Sequence, residues 1–225
     1  VGASIGVRLM SSLIYRYFLL GCRRFDDDML RRIRLDALAQ LHVVASAMGP
    51  SLSEVVDRYF LFTLVGAILT GDEATFFALG DGVVFVNGEA HELQPEADNQ
   101  PIYMGYGLTG SSLTDTDPAK LEFRTVDRLP TDQLNHFLIG TDGVLDYIRC
   151  GSRNMPGLDI PVGKIDQFWE QEKYVINTAA IERQLNLAAR DWPRRHDDGS
   201  RHIEGGLLPD DTTLVVGQRL SARPV

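Results

Sequence analysis

Apolar side chains recur every three or four positions at the start of the chain, and the spacing predicts a helix from Ala3 to about Leu20 through Ile5, Leu9, Leu13 and Phe18. Asp26, Asp27 and Asp28 then mark a helix start, and Leu30, Ile33, Leu41, Val44 and Met48 carry the same period until Gly49-Pro50 ends it. From Tyr59 the pattern turns to short β-type runs cut by tight-turn residues: Tyr59 to Leu69, Ala74 to Leu79, Val83 to Val86 and Ala90 to Leu93. The breaks fall at Gly71-Asp72, Gly80-Asp81-Gly82 and Asn87-Gly88, which reads as an antiparallel meander. Gln94 to Lys120 is polar and reads as loop, and further strands are expected at Leu121 to Val126, His136 to Ile139 and Thr212 to Gln218. Helices are predicted from Val144, over Lys164 to Glu172 and over Thr178 to Asp191, with a loop over 151–163 and a charged, mobile segment from Arg194 to Glu204. Helices grouped around a run of antiparallel strands imply an α+β layered fold.

At 225 residues, 44% of them hydrophobic, the chain suits one compact domain, or at most two small ones. The apolar run over residues 5–21 is interrupted by Arg8 and Arg16, so it reads as a buried helix and no membrane partner is expected. Thirty-one acidic against 22 basic residues give a net charge of −9, the wrong balance for a phosphate-backbone binder, so nucleic acid is not expected either. Cys22 and Cys150 stand far apart and form no C-x-x-C, which fits a reducing cytoplasm. The opening residue is Val1, and the chain reads as a segment cut from a longer protein.

Gly105 to Gly110 matches G-x-G-x-x-G literally, but no strand leads into a helix there, and Ser111 to Pro118 is rich in turn residues. Ser111 and Ser112 lack a strand-turn-helix frame for a nucleophile. His42, His91, His136, His196 and His202 are scattered without zinc-ligand spacing. What remains is a set of aspartates at strand ends: Asp81, Asp142 followed by Asp146, and Asp210-Asp211. Hard cations such as Mg²⁺ and Mn²⁺ prefer carboxylate oxygen, and two of them can activate a bridging water for in-line attack on a phosphoryl group. Taken singly, each of these aspartates reads first as a turn former, and patterning alone does not bring Asp142 and Asp210 together.

The order of four pieces resembles the type 2C, metal-dependent serine/threonine protein phosphatase family across nearly the whole chain. They are Thr63 to Ala67, Ala78-Leu79-Gly80-Asp81-Gly82, Phe137 to Asp146, and Asp210-Asp211-Thr212-Thr213-Leu214-Val215-Val216. The resemblance implies a four-layer α-β-β-α sandwich of two antiparallel sheets flanked by helices. It makes residues 1–225 a single phosphatase-like domain that lacks its first strands. It implies hydrolysis of phosphoserine or phosphothreonine esters in a phosphorylated protein substrate, with two or three Mg²⁺ or Mn²⁺ ions. By resemblance Asp142 and Asp210 are metal ligands, Asp81 helps hold a third ion, and Asp146 is a metal-linked acid. Gly82 stands where the family carries serine and Asp211 where it carries asparagine. No residue matches the family's early acid, its phosphate-binding arginine or its bridging D-G-x-G aspartate. The alternative is therefore a catalytically silent module that binds phosphoproteins or regulates an attached domain, and an open sheet edge is expected where the first strands are lacking.

Overall fold

The computed structural model describes residues 1–94, 101–109, 118–195 and 201–220. They fall into two compact units, residues 1–81 with 92–133 and residues 82–91 with 134–225.

In the first unit, α1 (Gly2–Leu19) and α2 (Asp27–Met48) follow the predicted periodicity. The Asp26 carboxylate accepts from Met29 N–H at 3.1 Å and caps α2, supplying a partner to one of the amides that a helix start leaves open. Leu30, Ile33, Ala37, Leu41 and Ala45 are buried on one face of α2, in a core that includes Phe60, Phe77, Met104 and Phe123. Arg34 is buried on the same helix, and its guanidinium donates to Glu122 at 3.2 Å, which offsets the loss of hydration. The expected strand from Tyr59 is corrected. Leu52–Tyr59 forms α3, capped by Ser51 and followed by Phe60 to Thr63, so that β1 is only Leu64–Leu69. β1 pairs antiparallel with β2 (Glu73–Leu79), and β2 pairs with β5 (Arg124–Pro130). That strand begins later than expected, because Pro118–Leu121 is a 3-10 turn. Tyr106–Thr109 forms one helical turn, α4.

The second unit carries a four-stranded antiparallel sheet in the order β4-β3-β6-β9, with β3 Gly82–Val86, β4 Glu89–Leu93, β6 His136–Gly140 and β9 Leu214–Gln218. Asn87 (φ 51°) and Gly88 (φ 88°) make the tight hairpin that their sequence predicts. The meander is corrected at β2 and β3, which belong to different sheets. The chain leaves one and enters the other through Gly80 (φ 93°), Asp81 and Gly82 (φ 136°). After β6 come α5 (Gly143–Arg149), α6 (Gln167–Glu170), α7 (Glu172–Ile176) and α8 (Thr178–Ala189). The single helix expected over Lys164 to Glu172 is broken at Gln171, whose backbone is extended. Tyr147 is fully buried in this unit's core. Its hydroxyl donates to Val162 C=O at 3.0 Å and accepts from Gln167 Nε2 at 3.0 Å, so its polar end is satisfied.

The segment expected to be mobile instead forms β7 (Trp192–Arg195) and β8 (Arg201–Glu204) on either side of residues 196–200, which lie outside the described residues together with His196. Tertiary contacts account for the order. The Glu204 carboxylate pairs with Arg194 at 2.8 Å and accepts from Gly157 N–H at 3.1 Å, while a Cβ on Gly157 would fall 2.2 Å from the Trp192 ring. Gly110, Ser111 and Ser112 also lie outside the described residues. Helices with antiparallel sheets of three and four strands make this an α+β protein. Among the described residues, no helix is long and apolar enough to cross a membrane.

Candidate active site

The site begins with the register of β6 and β9. Gly140 is paired with Leu214, so the residues that follow β6 and those that precede β9 leave the sheet at the same end. Thr141 ties them together. Its N–H donates to Thr213 C=O at 3.0 Å, its hydroxyl accepts from Thr213 N–H at 3.1 Å, and the same hydroxyl donates to Asp211 C=O at 3.3 Å. The strand-end latch sets Asp142 and the Asp210-Asp211 pair on neighbouring segments although about 70 residues separate them in sequence.

Gly143 makes the approach possible. A Cβ there would stand 2.5 Å from Thr212 Oγ1 and 3.1 Å from Asp211 C=O, so the backbone of 211–212 passes where any side chain would sit. The glycine of Asp142-Gly143 therefore serves close packing: it is absent from the positions with positive φ, whereas Gly80 and Gly82 around Asp81 are among them. At Asp81 the turn-forming reading accounts for both neighbours.

Asp142 caps α5, its Oδ1 accepting from Gly143 N–H at 3.0 Å, and Asp210 Oδ1 accepts from Asp211 N–H at 3.2 Å. Each of these carboxylates uses one oxygen to hold its own backbone. Its second oxygen takes no hydrogen bond among the described residues. Asp146 lies one turn beyond Asp142 on α5, hence on the same helix face, and its Oδ1 accepts from Arg149 at 2.9 Å. Asp81 belongs to the first unit and the other three to the second. Among the described residues, no group of three or more His, Cys, Asp or Glu side chains is gathered closely enough to hold a metal ion. The oxygen donors of Asp142 and Asp210 suit a hard divalent cation in kind, but their number falls short of a closed coordination shell.

The family model for protein phosphatase 2C matches residues 1–185. The chain belongs to the protein phosphatase 2C family. Its general activity is thus that of a phosphatase, a hydrolase of phosphate esters, and the family is generally dependent on Mg²⁺ or Mn²⁺. The matched stretch includes Asp81, Asp142 and Asp146 and ends before Asp210. No curated protein matches this phosphatase-family chain.

Sequence reasoning reached the aspartates and missed Thr141 and Gly143 as the parts that join their segments. A signal was present in Thr141, a β-branched hydroxyl at a strand end immediately before an acid, but its partner strand could not be read from the sequence.

Proposed function

We propose that residues 1–225 act as a single phosphatase-like domain that hydrolyses phosphoserine and phosphothreonine esters of proteins in a reducing cytoplasm. Asp142 and Asp210 serve as ligands of Mg²⁺ or Mn²⁺. The observation that supports this reading best is the Thr141 latch, which holds the backbone of Asp210-Asp211 beside that of Asp142. Bound there, the cations would supply an activated water and neutralise the phosphoryl oxygens. The two aspartates orient themselves by accepting from the next backbone amide, so each offers its remaining oxygen in a fixed direction. Asp81 contributes to a third ion. Asp146, held by Arg149, acts as a linked acid whose partner must yield if it is to meet a metal directly. Asp211, where the family has asparagine, adds negative charge beside the cations.

Mn²⁺ titration by calorimetry and Mn²⁺-dependent release of phosphate from a phosphopeptide test the reading, with Asp142→Ala and Asp210→Ala beside the native chain. Each substitution is expected to weaken Mn²⁺ binding and to abolish any metal-dependent hydrolysis. Unchanged metal affinity in both variants would show the ligand assignment to be wrong. A catalytically silent module that binds phosphoproteins is the second reading. It is favoured by the shortfall of clustered carboxylates among the described residues. Phosphopeptide binding without turnover at saturating Mn²⁺ would select it.

A further inference from the structure

Asn87-Gly88 is the chain's one Asn-Gly pair, and both residues are exposed at the turn between β3 and β4. The pair suits a tight hairpin, since Asn87 takes a φ of 51° and Gly88 one of 88°. It is also open to attack by its own backbone, because Gly88 has no side chain to shield its nitrogen from the Asn87 side-chain carbonyl. In that reaction a bond forms between Gly88 N and Asn87 Cγ, and the bond from Cγ to Nδ2 breaks. Ammonia leaves with the proton that the Gly88 nitrogen gives up. Water then opens the five-membered imide at either carbonyl. One opening yields aspartate in the ordinary backbone; the other yields isoaspartate, whose backbone runs through Cβ and Cγ. Water is the co-reactant throughout.

Two features of the fold hold this reaction off. Asn87 Oδ1 accepts from Asn135 N–H at 2.7 Å and from His136 N–H at 3.3 Å, and Asn87 N–H donates to His136 C=O at 2.9 Å. The side-chain carbonyl is thereby fastened to the residues that open β6. The left-handed region joins such a φ to a ψ of about +30 to +60°, which sets Cβ and the next nitrogen nearly anti about the Cα–C bond. Ring closure needs the two nearly eclipsed. Because the pair is exposed, this geometry is the barrier and burial is not. We propose that Asn87 is a self-modification site gated by folding: the intact hairpin suppresses deamidation, and the opened chain converts Asn87 to aspartate and isoaspartate. The two products differ in fit. An aspartate at position 87 keeps an oxygen for both backbone donors, and its charge strengthens those bonds. Isoaspartate lengthens the backbone by one carbon within the two-residue turn between Val86 and Glu89, which disturbs the pairing of β4 with β3. β4 is the outermost strand of its sheet, and among the described residues β3 is its one neighbour, so no second ladder restores it.

The whole chain is incubated at mildly alkaline pH, folded and in concentrated urea, and then digested with a protease that cuts after glutamate. Cleavage at Glu73 and Glu89 releases residues 74–89, in which Asn87 is the sole side-chain amide. Mass spectrometry measures the change from amide to acid, and fragmentation separates the two products. Conversion in the folded chain is expected to be at least about tenfold slower than in urea, because only the opened fraction reacts. Equal rates would overturn the proposal. Asn87→Asp, made by mutagenesis, should melt with the native chain. Chains that carry isoaspartate after refolding should melt earlier and lose amide protection along β4. An Asn87→Asp chain that does not fold, or isoaspartate chains that match the native melt and exchange, would equally overturn it. Neither arm uses metal or phosphate, so the outcome stands apart from the phosphatase reading.

Discussion

Replacing Gly143 by alanine tests directly how the two aspartate-bearing segments are held together. Alanine at the first position of a helix would ordinarily stabilise it by up to about 1 kcal/mol relative to glycine. Here the new Cβ stands 2.5 Å from Thr212 Oγ1, about 0.9 Å inside ordinary contact, with backbone at 3.1 and 3.2 Å behind it. The Thr212 hydroxyl can rotate away; the Asp211 carbonyl and Thr212 Cα cannot move without the chain. Overpacking of this kind costs about 1–3 kcal/mol, and the two bonds of the Thr141 hydroxyl are worth about 1 kcal/mol each if the retreat of residues 211–212 breaks them. With both bonds lost, the expected net loss is about 2–4 kcal/mol. Trp169 and Trp192, the chain's two tryptophans, both lie in the second unit, so fluorescence-monitored urea unfolding reports the unit that contains the latch. Gly205→Ala is the control. Its Cβ would meet nothing closer than Asp191 Oδ1 at 4.0 Å, and stability within about 0.5 kcal/mol of native is expected. Gly143→Ala as stable as Gly205→Ala would refute the argument that residues 211–212 are pressed against residue 143. If the ligand assignment is also correct, Mn²⁺ affinity falls in Gly143→Ala and stays unchanged in the control.

Two further outcomes concern the second unit. Tyr147→Phe removes the hydroxyl shared by Gln167, Gln184 and Val162 C=O, but both amides keep Val162 C=O as an acceptor, so a loss of about 0.5–1.5 kcal/mol in urea unfolding is expected. Burial pushes the Tyr147 pKa up from 10.0 to about 12, so its contribution is complete below pH 10 and lost as pH rises from 10 towards 12. That alkaline loss should vanish in Tyr147→Phe, and an identical alkaline melt in both proteins would contradict it. His136 stacks on Trp169 at 5.1 Å, and burial holds its pKa below the usual 6.5 although Glu170 pulls it the other way. The unfolded chain therefore takes up this proton first as pH falls below 6.5, so stability should decline on acidification through that window and stay level above it. In His136→Phe the decline should be smaller, as read by thermal melts between pH 5 and 8; an unchanged slope would assign it to other groups.

Where local signals and tertiary demands coincide, the sequence was legible. Asp26 before a long apolar period defined α2, and Asn87-Gly88 defined a hairpin, because a cap and a left-handed turn depend on near neighbours alone. α3 had its mark too: Ser51 and Glu54 form a capping pair, with Glu54 N–H donating to Ser51 Oγ at 3.4 Å, but the apolar run through Leu69 drew the strand assignment too far back. Period-two alternation says nothing about which strand is the neighbour, so in sequence the passage from β2 to β3 looks the same as a turn within one sheet. The hairpin of β7 and β8 was hidden because a charged segment is ordered here by Trp192 and Glu204 acting on a distant glycine. At the site, Asp142 and Asp210 stand out in sequence as acids beside strand ends, whereas the adjacency of their segments depends on the β6–β9 register and on the missing side chain of residue 143.

The Thr141 latch also fastens the mouth of a long loop, since α5, α6, α7 and α8 all lie between its two sides. A cation shared by Asp142 and Asp210 would act on that loop as a removable cross-link, lowering the entropy of every conformation in which the mouth has opened. Amide exchange slowed across those four helices, and not only beside the carboxylates, would be the signature of such a clasp.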